Sequence, residues 1–300
     1  MFRTRTEAFR DRIVHACSMK SRHGQPFVTR LVFGFIALNA GFGAVVALSN
    51  PRAFDKAFTW AVLPPLDARF VGALYLWGTV LLVGALRSRD PKMWWPATIS
   101  VATFTTSLGV LTALNSNAFD VRLTGVKVWI LCYSAFPMST LAVAWRYRRS
   151  RNATALGADG RWPASERSRA LQGLAGMFLA VGLGLLFGRD VMVGVWPWDV
   201  SKGVAQFYGG PFVTLAWCSW AYSRSAPSDR RPFALSMTMF GLVILAVSLR
   251  HRDQFDFSRP STTVWFGGFA AVTMFFIDRL KNRDSRGRHE LMSRDDPTDV

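Results

Sequence analysis

Long apolar runs, separated by short polar and basic segments, dominate the 300-residue chain. A helix needs about 20 mainly apolar residues to cross a bilayer. Eight segments satisfy this requirement, and each contains small residues that allow helices to pack closely in a membrane. The pattern predicts an all-α membrane protein with eight transmembrane helices, at residues 28–49, 68–86, 94–114, 126–145, 170–188, 203–222, 232–249 and 262–280.

The first half of the chain matches the second half when it is shifted by 136 or 137 positions. Ala68–Gly72 (ARFVG) falls on Ala205–Gly209 (AQFYG), and Trp129 falls on Trp265. The glycine that ends each stretch allows a neighbouring helix to approach closely. A four-span unit starts and ends on one side of the membrane, so its copy enters with the same orientation. The matches therefore predict two parallel four-helix repeats about an axis along the membrane normal.

The distribution of basic residues predicts the orientation of these repeats. Loops and tails on the side of the N-terminus carry 25 Lys and Arg residues, whereas the opposite loops carry 8. Basic loops stay in the cytoplasm, so a multi-pass protein of the cell membrane with both termini cytoplasmic is predicted. The expected layout is a basic tail, a repeat, a basic linker, a second repeat and a polar tail, at 1–27, 28–145, 146–169, 170–280 and 281–300.

Composition excludes several classes of function. Half of the residues are hydrophobic and the formal charge is +17, but the charges lie in short blocks between apolar runs, which is unlike a nucleic-acid-binding surface. The three cysteines are widely spaced and the four histidines lie in tails or at a helix end. Neither a zinc site nor haem ligation inside the bundle fits this distribution. The sequence thus predicts no catalytic residue, no metal and no cofactor.

Four charged residues at extracytoplasmic helix ends form the first candidate site. Asp67 and Arg69 begin the second predicted helix, while Asp120 and Lys127 flank the start of the fourth. If these helices are neighbours, Arg69 is expected to pair with Asp67 or Asp120 and to order the mouth of the first unit. The alternative is that all four only anchor helix ends at the surface, where ion pairs contribute about 0–1 kcal/mol.

Polar and aromatic residues supply two further sets of candidates. Polar groups inside predicted helices either form hydrogen bonds between helices or mark a pathway; they are Asn39, Ser100, Thr103 and Ser107. Tryptophans beside prolines are expected at the membrane–water interface; they are Trp60, Trp196 and Trp198. A short interfacial helix is also expected between Pro51 and Pro64.

One stretch resembles a group of uncharacterised multi-span integral membrane proteins, chiefly actinobacterial, that carry a W-x-x-x-x-P-L-x-A-R-x-x-G pattern. The residues that carry it here are Trp60, Pro65, Leu66, Ala68, Arg69 and Gly72. The second half departs from the pattern, since it has Gln206 in place of the arginine. The resemblance implies a multi-span membrane protein and no particular activity.

Two functional hypotheses remain open. The first is a structural or accessory membrane component that binds anionic lipids or protein partners through its basic loops, as a monomer or a homo-oligomer and without nucleic acid. The low number of ionisable residues inside the predicted helices favours it. The second is a small-solute carrier with a pathway at the interface of the repeats, which the duplication favours. A membrane enzyme ranks third.

Overall fold

A computed structural model describes residues 27–57, 64–88, 94–119, 121–154, 166–224 and 230–294. These residues form ten α-helices, two single-turn 3-10 helices and one isolated antiparallel bridge. The α-helices are α1 (Phe27–Ser49), α2 (Pro51–Ala57), α3 (Pro65–Arg87), α4 (Trp94–Leu114), α5 (Thr124–Thr154), α6 (Glu166–Phe187), α7 (Arg189–Val195), α8 (Lys202–Ser223), α9 (Arg231–Arg250) and α10 (Pro260–Arg294). The 3-10 helices are Ser116–Ala118 and Arg252–Gln254.

All eight segments predicted to be long helices are helical in the structure. Seven of them, α1, α3, α4, α5, α6, α9 and α10, are long and apolar enough to cross a membrane. The all-α class and the multi-pass membrane character are therefore confirmed. The eighth, α8, has 22 residues but is less apolar than the other seven.

The lower apolarity of α8 has a packing explanation. It contains Gln206 and Pro211, and most of its residues are buried against neighbouring helices. A helix that is enclosed by protein has little contact with lipid, so its side chains need not be uniformly apolar. Pro211 removes one backbone donor from the helix, which neighbouring groups can compensate in a packed bundle.

Helix boundaries follow from local sequence. Proline begins α2, α3 and α10, because its fixed φ suits the first helical turn and its missing N–H has no partner there. At the start of α8, the Ser201 hydroxyl accepts a hydrogen bond from the Val204 backbone N–H. The short helix expected after Pro51 is present as α2, whereas α7 was not predicted.

Two helices extend beyond the segments predicted to lie in the membrane. The fifth helix, α5, continues to Thr154, and α10 continues to Arg294. Parts of the predicted linker and of the predicted polar tail are therefore helical. Because α6 already begins at Glu166, the linker contains helical residues at both of its ends.

Helix packing recurs in equivalent pairs along the chain. Within the halves, α1 packs against α3 as α6 packs against α8, and α4 packs against α5 as α9 packs against α10. Between the halves, α3 packs against α9 as α8 packs against α4. Each of these helices corresponds to the one five positions away in the helix order, and α3 and α8 each contact helices of both halves.

Two glycines allow close approaches within the halves. A Cβ atom on Gly72 would lie 2.9 Å from the Cβ of Ala47, where α3 crosses α1. A Cβ atom on Gly209 would lie 2.6 Å from Cγ of Leu186, where α8 crosses α6. The close approach that the sequence predicts at Gly72 and Gly209 is thus confirmed.

Candidate functional site

The candidate site is centred on a buried carboxylate that joins the two halves. Asp67 lies in the first turn of α3 and is 1 % exposed. Its Oδ1 atom accepts hydrogen bonds from Trp198 Nε1 at 2.8 Å and from the Tyr208 hydroxyl at 2.7 Å. No Lys or Arg among the described residues lies within ion-pair distance of it. Two neutral donors from the second half therefore hold a carboxyl group of the first half.

The bend that supplies Trp198 is fixed by the connection between α9 and α10. Trp198 forms the isolated bridge with Phe255. The Asp256 backbone N–H donates to the Pro197 carbonyl at 3.3 Å, and Arg259 Nη1 donates to the Trp196 carbonyl at 3.0 Å. These bonds hold the backbone from Trp196 to Trp198 over the ends of α3 and α8. The connection between α7 and α8 and the connection between α9 and α10 thus both contribute to the position of the Trp198 indole.

An aromatic cluster surrounds Asp67. Trp196 and Trp198 are only 4 % and 2 % exposed, and both rings contact Trp265. Phe70, one turn after Asp67, contacts Trp198 and Tyr208 with ring centroids 5.9 and 4.6 Å apart. Trp196 and Trp198, which the sequence predicts at the membrane–water interface, have their rings packed inside the bundle, and their depth in the membrane stays a prediction.

Among the described residues, Arg69 has partners other than Asp67. Its Nε donates to the Leu48 carbonyl at 3.2 Å, and its Nη1 lies 2.6 Å from His251 Nε2. The guanidinium can only donate, so His251 accepts through Nε2 in its neutral form. Burial, and next the charge of Arg69, lower the pKa of His251 below its usual value. The expected Arg69–Asp67 ion pair does not form.

Of the other predicted charged and aromatic candidates, the structure describes Lys127 alone. Lys127 lies one turn after the start of α5, and its side chain is exposed. Asp120 and Trp60 lie outside the described residues. The predicted contacts of Asp120 therefore stay a prediction.

The polar residues of α4 bond mainly within their own helix. The Ser100 hydroxyl donates to the Pro96 carbonyl at 2.7 Å, and the Ser107 hydroxyl donates to the Phe104 carbonyl at 2.9 Å. Thr103 is half-buried. The Ser100 and Ser107 protons are thus used within α4, whereas the Ser100 oxygen also lies within hydrogen-bonding reach of Cys218 on α8. Ser107 instead packs against Gly210 of α8.

A cavity lies inside the first half, between α1, α3, α4 and α5. Asn39 and Ser100 line it, together with Tyr75, Trp77 and Tyr133. Its volume is about 510 Å³ when its open mouth is included. Of the four polar residues predicted inside the membrane, two therefore share one cavity, whereas Thr103 and Ser107 are not among its lining residues.

Comparison with known proteins identifies no relative: no family model, curated protein or solved structure matches the chain. In the described part of the chain, no group of three or more His, Cys, Asp or Glu side chains is arranged to hold a metal ion. Function must therefore be inferred from the geometry of the Asp67 site, the contacts between the halves and the cavity.

Proposed function

We propose that the protein is a non-catalytic structural or accessory component of the cell membrane, built from eight transmembrane helices in two parallel repeats. Its halves form one fixed body, and both termini lie in the cytoplasm, where the basic loops contact anionic lipids or protein partners. The excess of Lys and Arg on that side, 25 against 8, supports the orientation.

Equivalent side-chain contacts support the repeat. Trp129 Nε1 donates to Thr112 Oγ1 at 3.0 Å, and Trp265 Nε1 donates to Ser248 Oγ at 3.0 Å, each across 17 residues. The offset between the two bonds is the one that aligns the halves in the sequence. Because helix pairs recur in the same order, α8 occupies the place that the membrane-spanning α3 has in the first half.

Ring contacts between the halves recur in the same way. Phe70 of the first half contacts Trp265 of the second, with centroids 5.6 Å apart. Phe207 of the second half contacts Trp129 of the first, with centroids 6.4 Å apart. Reciprocal contacts of this kind are expected of a twofold arrangement whose axis passes between α3 and α8.

Close packing between the halves is the observation that carries the proposal of a fixed body. A Cβ on Gly84 of α3 would lie 2.6 Å from the Cβ of Pro232 on α9, and a Cβ on Gly210 of α8 would lie 2.7 Å from Oγ of Ser107 on α4. The Asp67 hydrogen bonds join the halves at the end of the bundle where α3 and α8 begin. A carrier that rocks one repeat against the other must separate these contacts.

The alternative function, a small-solute carrier with its pathway between the repeats, has weaker support. The described cavity lies inside the first half rather than between the halves.

Cation–π contacts support interaction with the membrane surface at the end of the bundle opposite the Asp67 site. There Arg224, just after the end of α8, lies 4.2 Å from the Trp220 ring centroid, and Arg279, at the end of the last predicted span, lies 3.8 Å from that of Phe275; both charges are thus placed where lipid head groups are in reach.

A native thiol tests whether the contact between the halves opens. Cys218 on α8 is fully buried and lies within hydrogen-bonding reach of Ser100 on α4. In a chain that carries Cys17→Ala and Cys132→Ala, a membrane-impermeant maleimide reports on this position alone. A fixed body predicts no labelling of Cys218 from either side of sealed vesicles, and full labelling after denaturation.

Asp199→Cys in the same background is the control, because the Asp199 side chain is fully exposed. It should be labelled from one side only, which shows that the reagent reaches the protein. Labelling of Cys218 from either face of intact vesicles would contradict the fixed body and favour the carrier.

A further inference from the structure

The cavity in the first half opens towards the lipid-facing surface. Asn39 on α1 lines the cavity and is itself exposed. Its neighbours on the same helix, Phe35, Leu38 and Phe42, are 61 %, 73 % and 71 % exposed. Large apolar side chains exposed on a membrane helix face lipid, so a molecule dissolved in the bilayer can reach the mouth beside Asn39.

The walls of the cavity favour a neutral, flat ligand. Aromatic rings contribute five of the lining side chains, and none of the lining residues is charged. Burial of a charged ligand without a compensating charge costs several kcal/mol. Aromatic faces pack well against another ring.

Two hydrogen-bond donors in this cavity have no acceptor among the residues that the structure describes. The hydroxyl oxygens of Tyr75 and Tyr133 lie 2.9 Å apart, so one donates to the other, and the second proton has no acceptor among the described contacts. Trp77 is 3 % exposed, and its Nε1 has no hydrogen-bond partner among the described residues. Ser100 and Thr105 differ, because their hydroxyls already donate to carbonyls of α4.

The second half fills the corresponding space with side chains. At the offset that aligns the halves, Gly41 corresponds to Phe178 and Gly78 corresponds to Leu215. Phe178 and Leu215 are both buried, and the Phe178 ring contacts Phe212 at 5.9 Å between centroids. Gly78 lines the cavity, so the first half has space there because a glycine stands where Leu215 stands in its counterpart.

We propose that this cavity binds a lipid-soluble quinone-type molecule. Its carbonyl oxygens accept hydrogen bonds from Trp77 Nε1 and from the second hydroxyl proton of the Tyr75–Tyr133 pair, and its ring packs among the aromatic side chains. Unpaired buried donors are costly, so a ligand that supplies acceptors gains affinity from them. The inference concerns binding alone and does not depend on how the two halves are joined.

Decylubiquinone is the probe for this site. It is titrated into the purified full chain in nanodiscs, and saturable quenching of tryptophan fluorescence gives the Kd. Gly78→Leu introduces the side chain found at position 215, and a Cβ at Gly78 has no atom within 4 Å, so the fold accommodates it. We expect this variant to lose saturable binding. Trp77→Phe removes one donor and should raise the Kd about three- to tenfold.

Gly176→Leu is the matched control, because Gly176 is exposed on α6 and a Cβ there also has no atom within 4 Å. It should bind decylubiquinone as the unmodified chain does. Unsaturable quenching, or equal Kd values for Gly78→Leu and Gly176→Leu, would overturn the proposal. Displacement of the quinone by an equal concentration of dioleoylglycerol would also overturn it, since the site would then recognise lipid esters.

Discussion

Removal of a single oxygen from Tyr208 tests the contribution of the Asp67 site to stability. Tyr208→Phe keeps the ring contacts and removes one of the two donors to the buried carboxylate. A hydrogen bond to a charged group contributes about 1.5–3 kcal/mol. For a chain of this size about 2 °C of unfolding temperature corresponds to 1 kcal/mol. We therefore expect Tyr208→Phe to lower the unfolding temperature by about 3–6 °C.

The buried thiol of Cys218 provides the assay. With Cys17→Ala and Cys132→Ala, a thiol-reactive fluorescent dye reports exposure of Cys218 during heating of the purified protein in detergent. Asp67→Ala alone leaves two buried donors without an acceptor. Added to Tyr208→Phe, it should cost about 1–3 kcal/mol less than the sum of the two single changes, because the partners share one interaction.

Two tryptophans of the same cluster separate hydrogen bonding from ring packing. Trp198→Phe removes a donor to Asp67, whereas Trp196→Phe removes an N–H that has no partner among the described residues. Both changes delete a similar volume from a buried position. Trp198→Phe should therefore be the more destabilising. Equal effects of the two changes, together with additive effects of Asp67→Ala and Tyr208→Phe, would refute the role of the carboxylate.

Three further outcomes are expected. Reporter fusions after residues 90, 155 and 285 should report the cytoplasm and fusions near 58, 118, 195 and 256 the other side; termini on opposite sides would exclude the eight-span topology. Because burial and Arg69 lower the pKa of His251, its contribution to stability is complete above about pH 6.5 and is lost as pH falls through the lowered value; His251→Asn should remove that part of the pH dependence of the unfolding temperature. Gly209→Ala should destabilise the protein by about 1–3 kcal/mol because its Cβ meets Leu186, whereas Gly203→Ala, with no atom within 4 Å, should not; equal unfolding temperatures would contradict the close crossing of α6 and α8.

The positions of the long helices could be predicted because the bilayer imposes a length and an apolar composition on each span. Residues 94–114 agree with α4 at both ends, and most other boundaries differ by a few residues. The short helix α7 was missed because seven residues between a glycine and a tryptophan carry too little periodic pattern.

The partners of Asp67 could not be read from its immediate neighbours. Asp67 and Arg69 are two positions apart, and such residues point to different sides of a helix, which opposes the predicted ion pair. The partners come instead from 131 and 141 residues away. The alignment of the halves does hold one signal. Asp67 corresponds to Val204, and Tyr208 corresponds to Val71, so each polar residue of the Asp67–Tyr208 pair stands where the other half has a valine.

The burial of the tryptophans beside prolines could not be predicted from the sequence for a physical reason. Indole rings are common both at membrane–water interfaces and in buried cores where the N–H finds an acceptor. The composition of the stretch from Trp196 to Trp198 is compatible with either environment. The bridge from Trp198 to Phe255 turns this stretch towards the bundle. That contact joins residues 57 positions apart, so the local sequence does not reveal it.

The dependence of Asp67 on the second half has a consequence during synthesis. Tyr208 is made 141 residues after Asp67. At about 5–20 residues per second, roughly 7–28 s separate the two residues during translation. Throughout that interval the newly inserted first half holds a carboxyl group whose final donors do not yet exist. A chain that stops before Trp198 therefore retains an unsatisfied acidic group beside the membrane, a feature by which quality-control proteases can distinguish it from the finished protein.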